Sequence, residues 1–167
     1  MKITWMSVVL SLVAGFTVAC GEHEHDEHDH DEHGLEEEAC LHMENGPFTA
    51  LQAGEDAASA TDTEEGDWEH KRVDLSLVED SEGSFVGFIK LEIASEGDYA
   101  FFINQDATLE VDGIAPELSE AEAECDGISH KKVFELEVGE HTLKVVGISA
   151  ELQLVIEMVG EGGHDDH

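Results

Sequence analysis

A chain of 167 residues with 41 acidic and 7 basic side chains carries a formal charge of −34 at pH 7. That balance excludes nucleic acid as a partner, because phosphate binding needs a basic surface, and it repels anionic lipid headgroups. The same field concentrates cations, while a saline habitat, where salt screens acidic surfaces, accounts equally well for acidity spread over the whole chain.

Met1 and Lys2 form a minimal positive start, and Ile3–Ala19 runs seventeen residues without a charge. As a helix at about 1.5 Å per residue the run would reach about 26 Å, short of the roughly 30 Å hydrocarbon core, so it reads as an export signal rather than a membrane span. It ends Thr17-Val18-Ala19-Cys20-Gly21. That ending resembles the lipobox of bacterial lipoproteins, with Thr17 departing from the Leu, Val or Ile usual there. The resemblance implies that residues 1–19 are removed and that Cys20 is acylated and anchors the protein to a membrane. It also implies a place in the cell envelope. Gly21 after the Cys is similar to lipoproteins of the outer membrane, with the protein on its periplasmic or surface face. Loss of Lys2 leaves six basic residues against 41 acidic, a charge of −35.

Glu22–His33 contains only histidine and carboxylate: His23, His25, His28, His30 and His33 alternate with seven Asp or Glu. Nothing in it can enter a core, and a disordered tract is predicted over 20–38. Neutral imidazole binds zinc, nickel and copper near pH 7, and carboxylates add oxygen donors beside it. The alternative is a solvated acidic spacer in which histidine is incidental.

Residues 39–69 read as one strand, Pro47–Ala53, followed by a linker, 54–67, rich in Ala, Asp, Glu, Ser and Thr. With Cys20 committed to lipid, Cys40 and Cys125 remain as an even pair in an oxidising compartment. A disulfide between them would close about 85 residues and stabilise by roughly 4 kcal/mol on chain-entropy grounds. The competing reading makes one or both thiolates, Cys40 and Cys125, metal ligands, with Cys40 two residues from His42. His42 and His70 flank the linker, and with Cys40 or a carboxylate such as Glu44 or Glu69 they can build a three- or four-ligand site of the tetrahedral kind zinc prefers.

From residue 70 to 160 the pattern is strand-like. Val73, Leu75 and Leu77 alternate with polar residues, Ile89, Leu91 and Ile93 share a face, and further strands are predicted over 99–104, 109–111, 133–138, 142–146 and 152–159. Glu82-Gly83, Glu96-Gly97-Asp98, Asp112-Gly113 and Gly139-Glu140 supply turns between them. The fold predicted is all-β, an antiparallel, jelly-roll-like β-sandwich. Gly139–Val145 and Glu96–Phe102 resemble strand entries of jelly-roll-like bacterial surface modules, which bears on fold and not on function. One helix is predicted over Pro116–Cys125, with Pro near its N-terminus and a solvent-facing Glu-rich surface. His130 and His141 read as surface residues beside turns. The tail 161–167 ends His164-Asp165-Asp166-His167, a second ligand cluster or an idle end.

No nucleophile elbow, phosphate loop, dinucleotide fingerprint, His-Glu-x-x-His or Cys-x-x-Cys occurs, so no enzyme is predicted. Cys20–His33 resembles bacterial His-rich, metal-handling lipoproteins and the His/Asp/Glu loops of exported zinc-uptake proteins. That resemblance implies capture or buffering of a divalent transition metal in the envelope, zinc first with nickel or copper as alternatives, and a metal transporter as a candidate recipient. Clustered weak sites would rebind a released ion, with affinity lost as histidine protonates below about pH 6. The rival reading is a surface interaction or adhesion sandwich with the tract as its stalk. That reading needs an exposed aromatic platform, which Trp68, Tyr99 and the phenylalanines would have to supply, and of these Tyr99 and Phe101 face the core by alternation.

Overall fold

The computed structural model describes residues 34–63, 65–121 and 125–160. Two mixed β-sheets pack face to face as a sandwich. The first has the order β1 (Phe48–Gln52), β3 (Arg72–Ser76), β11 (Glu151–Met158), β6 (Gly97–Ile103), β9 (His130–Leu136), β8 (Leu118–Ala121). The second has the order β2 (Thr61–Asp62), β5 (Phe85–Ile93), β10 (Gly139–Gly147), β7 (Ala107–Val111), with β4 (Val78–Glu79) also paired to β5. The predicted antiparallel pairing holds along most of both sheets. The exceptions are β1 on β3 and β2 on β5, which are parallel.

The alternation seen in the sequence builds the core between the sheets. Val73 and Leu75 of β3, Ile89, Leu91 and Ile93 of β5, Leu143 and Val145 of β10, and Leu152, Leu154 and Ile156 of β11 are all buried there. Phe101 meets Phe134 edge-on at 5.0 Å between ring centroids, an arrangement aromatic quadrupoles favour. Gly87 sits where a Cβ would fall 2.5 Å from the Ala53 methyl and 2.6 Å from Leu77, so no side chain fits.

A second apolar layer lies on the outer face of the first sheet. Helix α1 (Leu35–Asn45) covers it, with Ala39 and Met43 packed against Ala100, Phe102, Val155 and Ile128. β6 is therefore buried on both faces, which explains its unbroken run Tyr99-Ala100-Phe101-Phe102-Ile103. Of the tract predicted to be disordered over 20–38, residues 20–33 lie outside the described residues, and residues 35–38 form the first turn of α1. The segment 39–69 likewise holds more than a strand and a linker. It contributes most of α1, strands β1 and β2, a 3-10 turn at Ala57–Ser59 and the single-turn helix α2 (Glu65–Trp68). Sheet strands therefore begin at Phe48, ahead of the boundary predicted at residue 70.

The helix predicted over Pro116–Cys125 is replaced, at 118–121, by strand β8. Its register runs from Leu118 opposite Val133 to Ala121 opposite His130. The open edge of β9 satisfies the backbone of these residues, and Lys131 lies across from Glu120 while Lys132 Nζ donates to Ser119 Oγ at 2.9 Å. Cross-strand partners of this kind outweigh a weak local helix preference. Among the described residues no helix is long and apolar enough to cross a membrane.

Candidate metal centre

Helix α1 supplies two of the converging side chains. Leu35, Ala39 and Met43, four residues apart, set its buried face, and Glu36, Glu37 and Glu38 in the first turn complement the positive end of the helix dipole. Gly46, at φ 76°, closes the helix, its N–H donating to the His42 carbonyl at 3.0 Å; glycine adopts this left-handed conformation without steric cost. Arg72 Nη1 donates to the Met43 carbonyl at 2.9 Å, and its guanidinium lies 4.0 Å over the Phe48 ring.

Two further ties hold the helix to the sheet. Cys40 is disulfide-bonded to Cys125, with Cα atoms 6.0 Å apart across 85 residues of sequence. Lys131 pairs with Glu36 and holds that carboxyl below its ordinary range. The disulfide decides between the two readings of both cysteines: the sulfurs of Cys40 and Cys125 are committed to each other and are not metal ligands.

Glu38 and His42, at i and i+4, project from one face of α1. His70 reaches the same point from the turn before β3, with its backbone at φ 48°. Glu69 bridges to Ile156, so this turn runs beside the end of β11. Beneath all three lies Glu157. Strand alternation sends Leu154 and Ile156 into the sandwich core and Val155 and Glu157 to the face under α1.

His70 Nδ1 is 3.1 Å from Glu157 Oε2 and 3.5 Å from Glu38 Oε1. His42 Nε2 is 3.8 Å from Glu157 Oε1 and 3.8 Å from Glu38 Oε1. One ligand atom from each of Glu38, His42 and His70 lies within 4.8 Å of the others, a group that can hold a metal ion. His42 Nδ1 faces the Gly46 carbonyl at 3.3 Å. With the proton on Nδ1, Nε2 turns its lone pair toward the carboxylates, the orientation that a backbone carbonyl commonly imposes on a metal-binding histidine.

Glu157 is only 3% exposed, and its Oε1 has no hydrogen-bond partner. Burial, then the charges of Glu38 and Glu69, push its carboxyl up to about 8. A buried carboxyl with an unsatisfied oxygen is costly unless something at the site compensates it. A cation at the convergence point would do so, and two imidazoles with carboxylate oxygens form a donor set suited to zinc, nickel or copper(II).

Of the ligands expected from sequence, the structure brings His42 and His70 together. Glu44 is exposed and outside the group, and Glu69 acts on Glu157 through its charge. His23, His25, His28, His30, His33, His164, His167 and the lipidation candidate Cys20 lie outside the described residues. His130 and His141 stand beside turns as expected, though both are half-buried. His130 Nδ1 is 3.1 Å from Ser129 Oγ, and His141 is held between Asp112 Oδ2 and the Glu137 carbonyl, each at 2.7 Å.

Sequence reading missed Glu38 and Glu157. Glu38 was hidden in what looked like the end of the acidic tract, although the Glu-x-x-x-His spacing and the Gly46-Pro47 stop were available signals. Glu157 was visible only as a charge within an apolar strand.

No protein-family model matches the sequence, and no curated protein matches it. Among solved structures, the chain is similar to a β-glucosidase from Kluyveromyces marxianus, at a TM-score of 0.36 and 13% identity over 47% of this chain and 11% of that one. A glucose complex of β-glucosidase from Kluyveromyces marxianus gives a TM-score of 0.35 and 15% identity over 50% of this chain and 12% of the other. At these scores the likeness carries no argument about activity.

Proposed function

We propose that the protein is an exported, lipid-anchored metal-binding protein that captures or buffers a divalent transition metal, zinc first, in a bacterial cell envelope, and that it is not an enzyme. The observation that carries this reading is the convergence of Glu38, His42 and His70, from a helix and a distant turn, on one point. Both rings turn nitrogens toward the shared carboxylates of Glu38 and Glu157, a set of nitrogen and oxygen donors of the kind a divalent transition metal takes. The charge of −34 adds a local excess of cations, and the His/carboxylate tract at 22–33 adds many weak ligands a few residues ahead of Glu38 in the sequence. In this reading the tract collects ions near the lipid anchor at Cys20, the fixed group holds one of them, and a transporter is a candidate recipient.

The rival, an adhesion module with an aromatic platform, loses Trp68 as a platform residue. Trp68 is 3% exposed and packs edge-on against Tyr99 at 6.3 Å between centroids. Zinc calorimetry on the mature chain tests the metal reading. Wild type should show one tighter event followed by several weak ones. His42→Ala with His70→Ala should remove the first, and deletion of 22–33 should remove the second set. A titration that neither change alters would sink the proposal.

A further inference from the structure

The geometry points to Glu157 as the fourth ligand of a closed, four-coordinate site for one divalent transition-metal ion, bonded through Glu38, His42, His70 and Glu157 and joining α1 to β11. This inference rests on the metal-binding reading and adds to it a coordination number, a buried ligand and a class of ion. Tetrahedral zinc with bonds of about 2.0–2.1 Å places neighbouring donor atoms about 3.3 Å apart. Glu38 Oε1 already lies 3.5 and 3.8 Å from the two imidazole nitrogens, near that edge, whereas Glu157 faces His70 with Oε2 at 3.1 Å and His42 with Oε1 at 3.8 Å, so its carboxyl must turn to bring one oxygen to both. Glu157 alternates with both histidines around the ring of contacts: one oxygen faces His70, the other His42. Its Oε1 is buried and without a hydrogen-bond partner, so a donor aimed into the site stands ready for a cation.

The donor set also selects. Two imidazole nitrogens disfavour calcium and magnesium, which take six or more oxygens. Cys40, on the same helix, is tied to Cys125 and so offers no thiolate of the kind that attracts copper(I). A dication with two carboxylates is charge-neutral, which suits a position under a helix. The ions that remain are zinc, cobalt, nickel and copper(II), with zinc and cobalt best matched to a tetrahedral cage.

Cobalt(II) is the probe, because its visible bands are intense in tetrahedral sites and weak in octahedral ones. The chain to use is full length with His23→Asn, His25→Asn, His28→Asn, His30→Asn and His33→Asn, so that the fixed site is read apart from the tract. One equivalent of cobalt should give the intense tetrahedral spectrum, displaced by zinc and unaffected by millimolar calcium. Glu157→Gln should weaken cobalt and zinc binding tenfold or more and change the spectrum, while Glu44→Gln should leave both unchanged. Loss of binding in His42→Ala with His70→Ala, combined with unchanged affinity and spectrum in Glu157→Gln, would overturn this inference and leave the metal-binding reading standing. Binding that survives loss of both histidines overturns both. Should Glu157→Gln fail to fold, an anomalous-scattering map of zinc-soaked wild-type crystals decides. A peak about 2.0–2.2 Å from a Glu157 oxygen supports the inference, and one bonded only to Glu38 and the histidines overturns it.

Discussion

Glu157 gives the molecule a pH dependence whose sign follows from where it sits. Its carboxyl is pushed up to about 8 from an ordinary 4.5, so between those values the folded chain holds a proton that the unfolded chain releases. The associated stability is fully present below about pH 4.5 and is lost as pH rises through about 8. In metal-free buffer the loss should be on the order of 5 kcal/mol, read as a falling urea midpoint, and Glu157→Gln should flatten it and be the more stable protein at pH 8. Glu36, held down by Lys131, works in the opposite sense at the acid end: its contribution is present above about 4.5 and fades as pH falls below that value. Core residues behave more simply. Phe101 is fully buried against Phe134, and Phe101→Ala should cost about 3–5 kcal/mol in chemical denaturation.

At the scale of elements, α1 is the part whose attachment governs the site. It carries Glu38 and His42, and Cys40 lies between them in sequence. Cys40→Ala with Cys125→Ala should lower stability by about 4 kcal/mol through the freed loop of 85 residues. It should also weaken zinc binding, because the helix that carries two of the ligands then loses its covalent tie and depends on non-covalent contacts such as those of Ala39 and Met43, the Lys131–Glu36 pair and the Arg72 bond to Met43. Calorimetry and melting on the same sample separate these effects, and an unchanged zinc affinity would show that α1 docks without the disulfide. Elements whose side-chain period matched their burial were legible in advance, as Val73/Leu75 and Ile89/Leu91/Ile93 show. Those that failed had weak local signals. α1 begins in a Glu-rich run that looks solvated, and Leu118-Ser119-Glu120-Ala121 is exposed at every position, so nothing in its pattern betrays a strand.

Over the whole molecule, the charge of −34 is the dominant long-range force. Few cations offset it. Lys90 between Asp62 and Glu140, Lys144 with Glu110 and Arg72 with Asp74 are local pairs on a surface otherwise acidic. Raising sodium chloride from about 0.01 to 1 M shortens the screening length from about 30 to 3 Å. The melting temperature should therefore climb with salt, most steeply at low ionic strength. Zinc at low micromolar concentration should raise it further at fixed ionic strength, where the same concentration of magnesium should not.

Composition and period alone determined the sandwich, the acidic field, the His/carboxylate tract and the candidacy of His42 and His70, because each is a property of local sequence: a residue count, an alternation or a spacing. Only the tertiary structure decided that Cys40 bonds Cys125 rather than metal and that Glu38 belongs with the two histidines. It alone placed a buried Glu157 beneath them. Those residues lie up to about 120 positions apart, and what brings them together is the docking of α1 on the outer face of β6 and β11. That is a packing event between surfaces, and no short window of the chain encodes it.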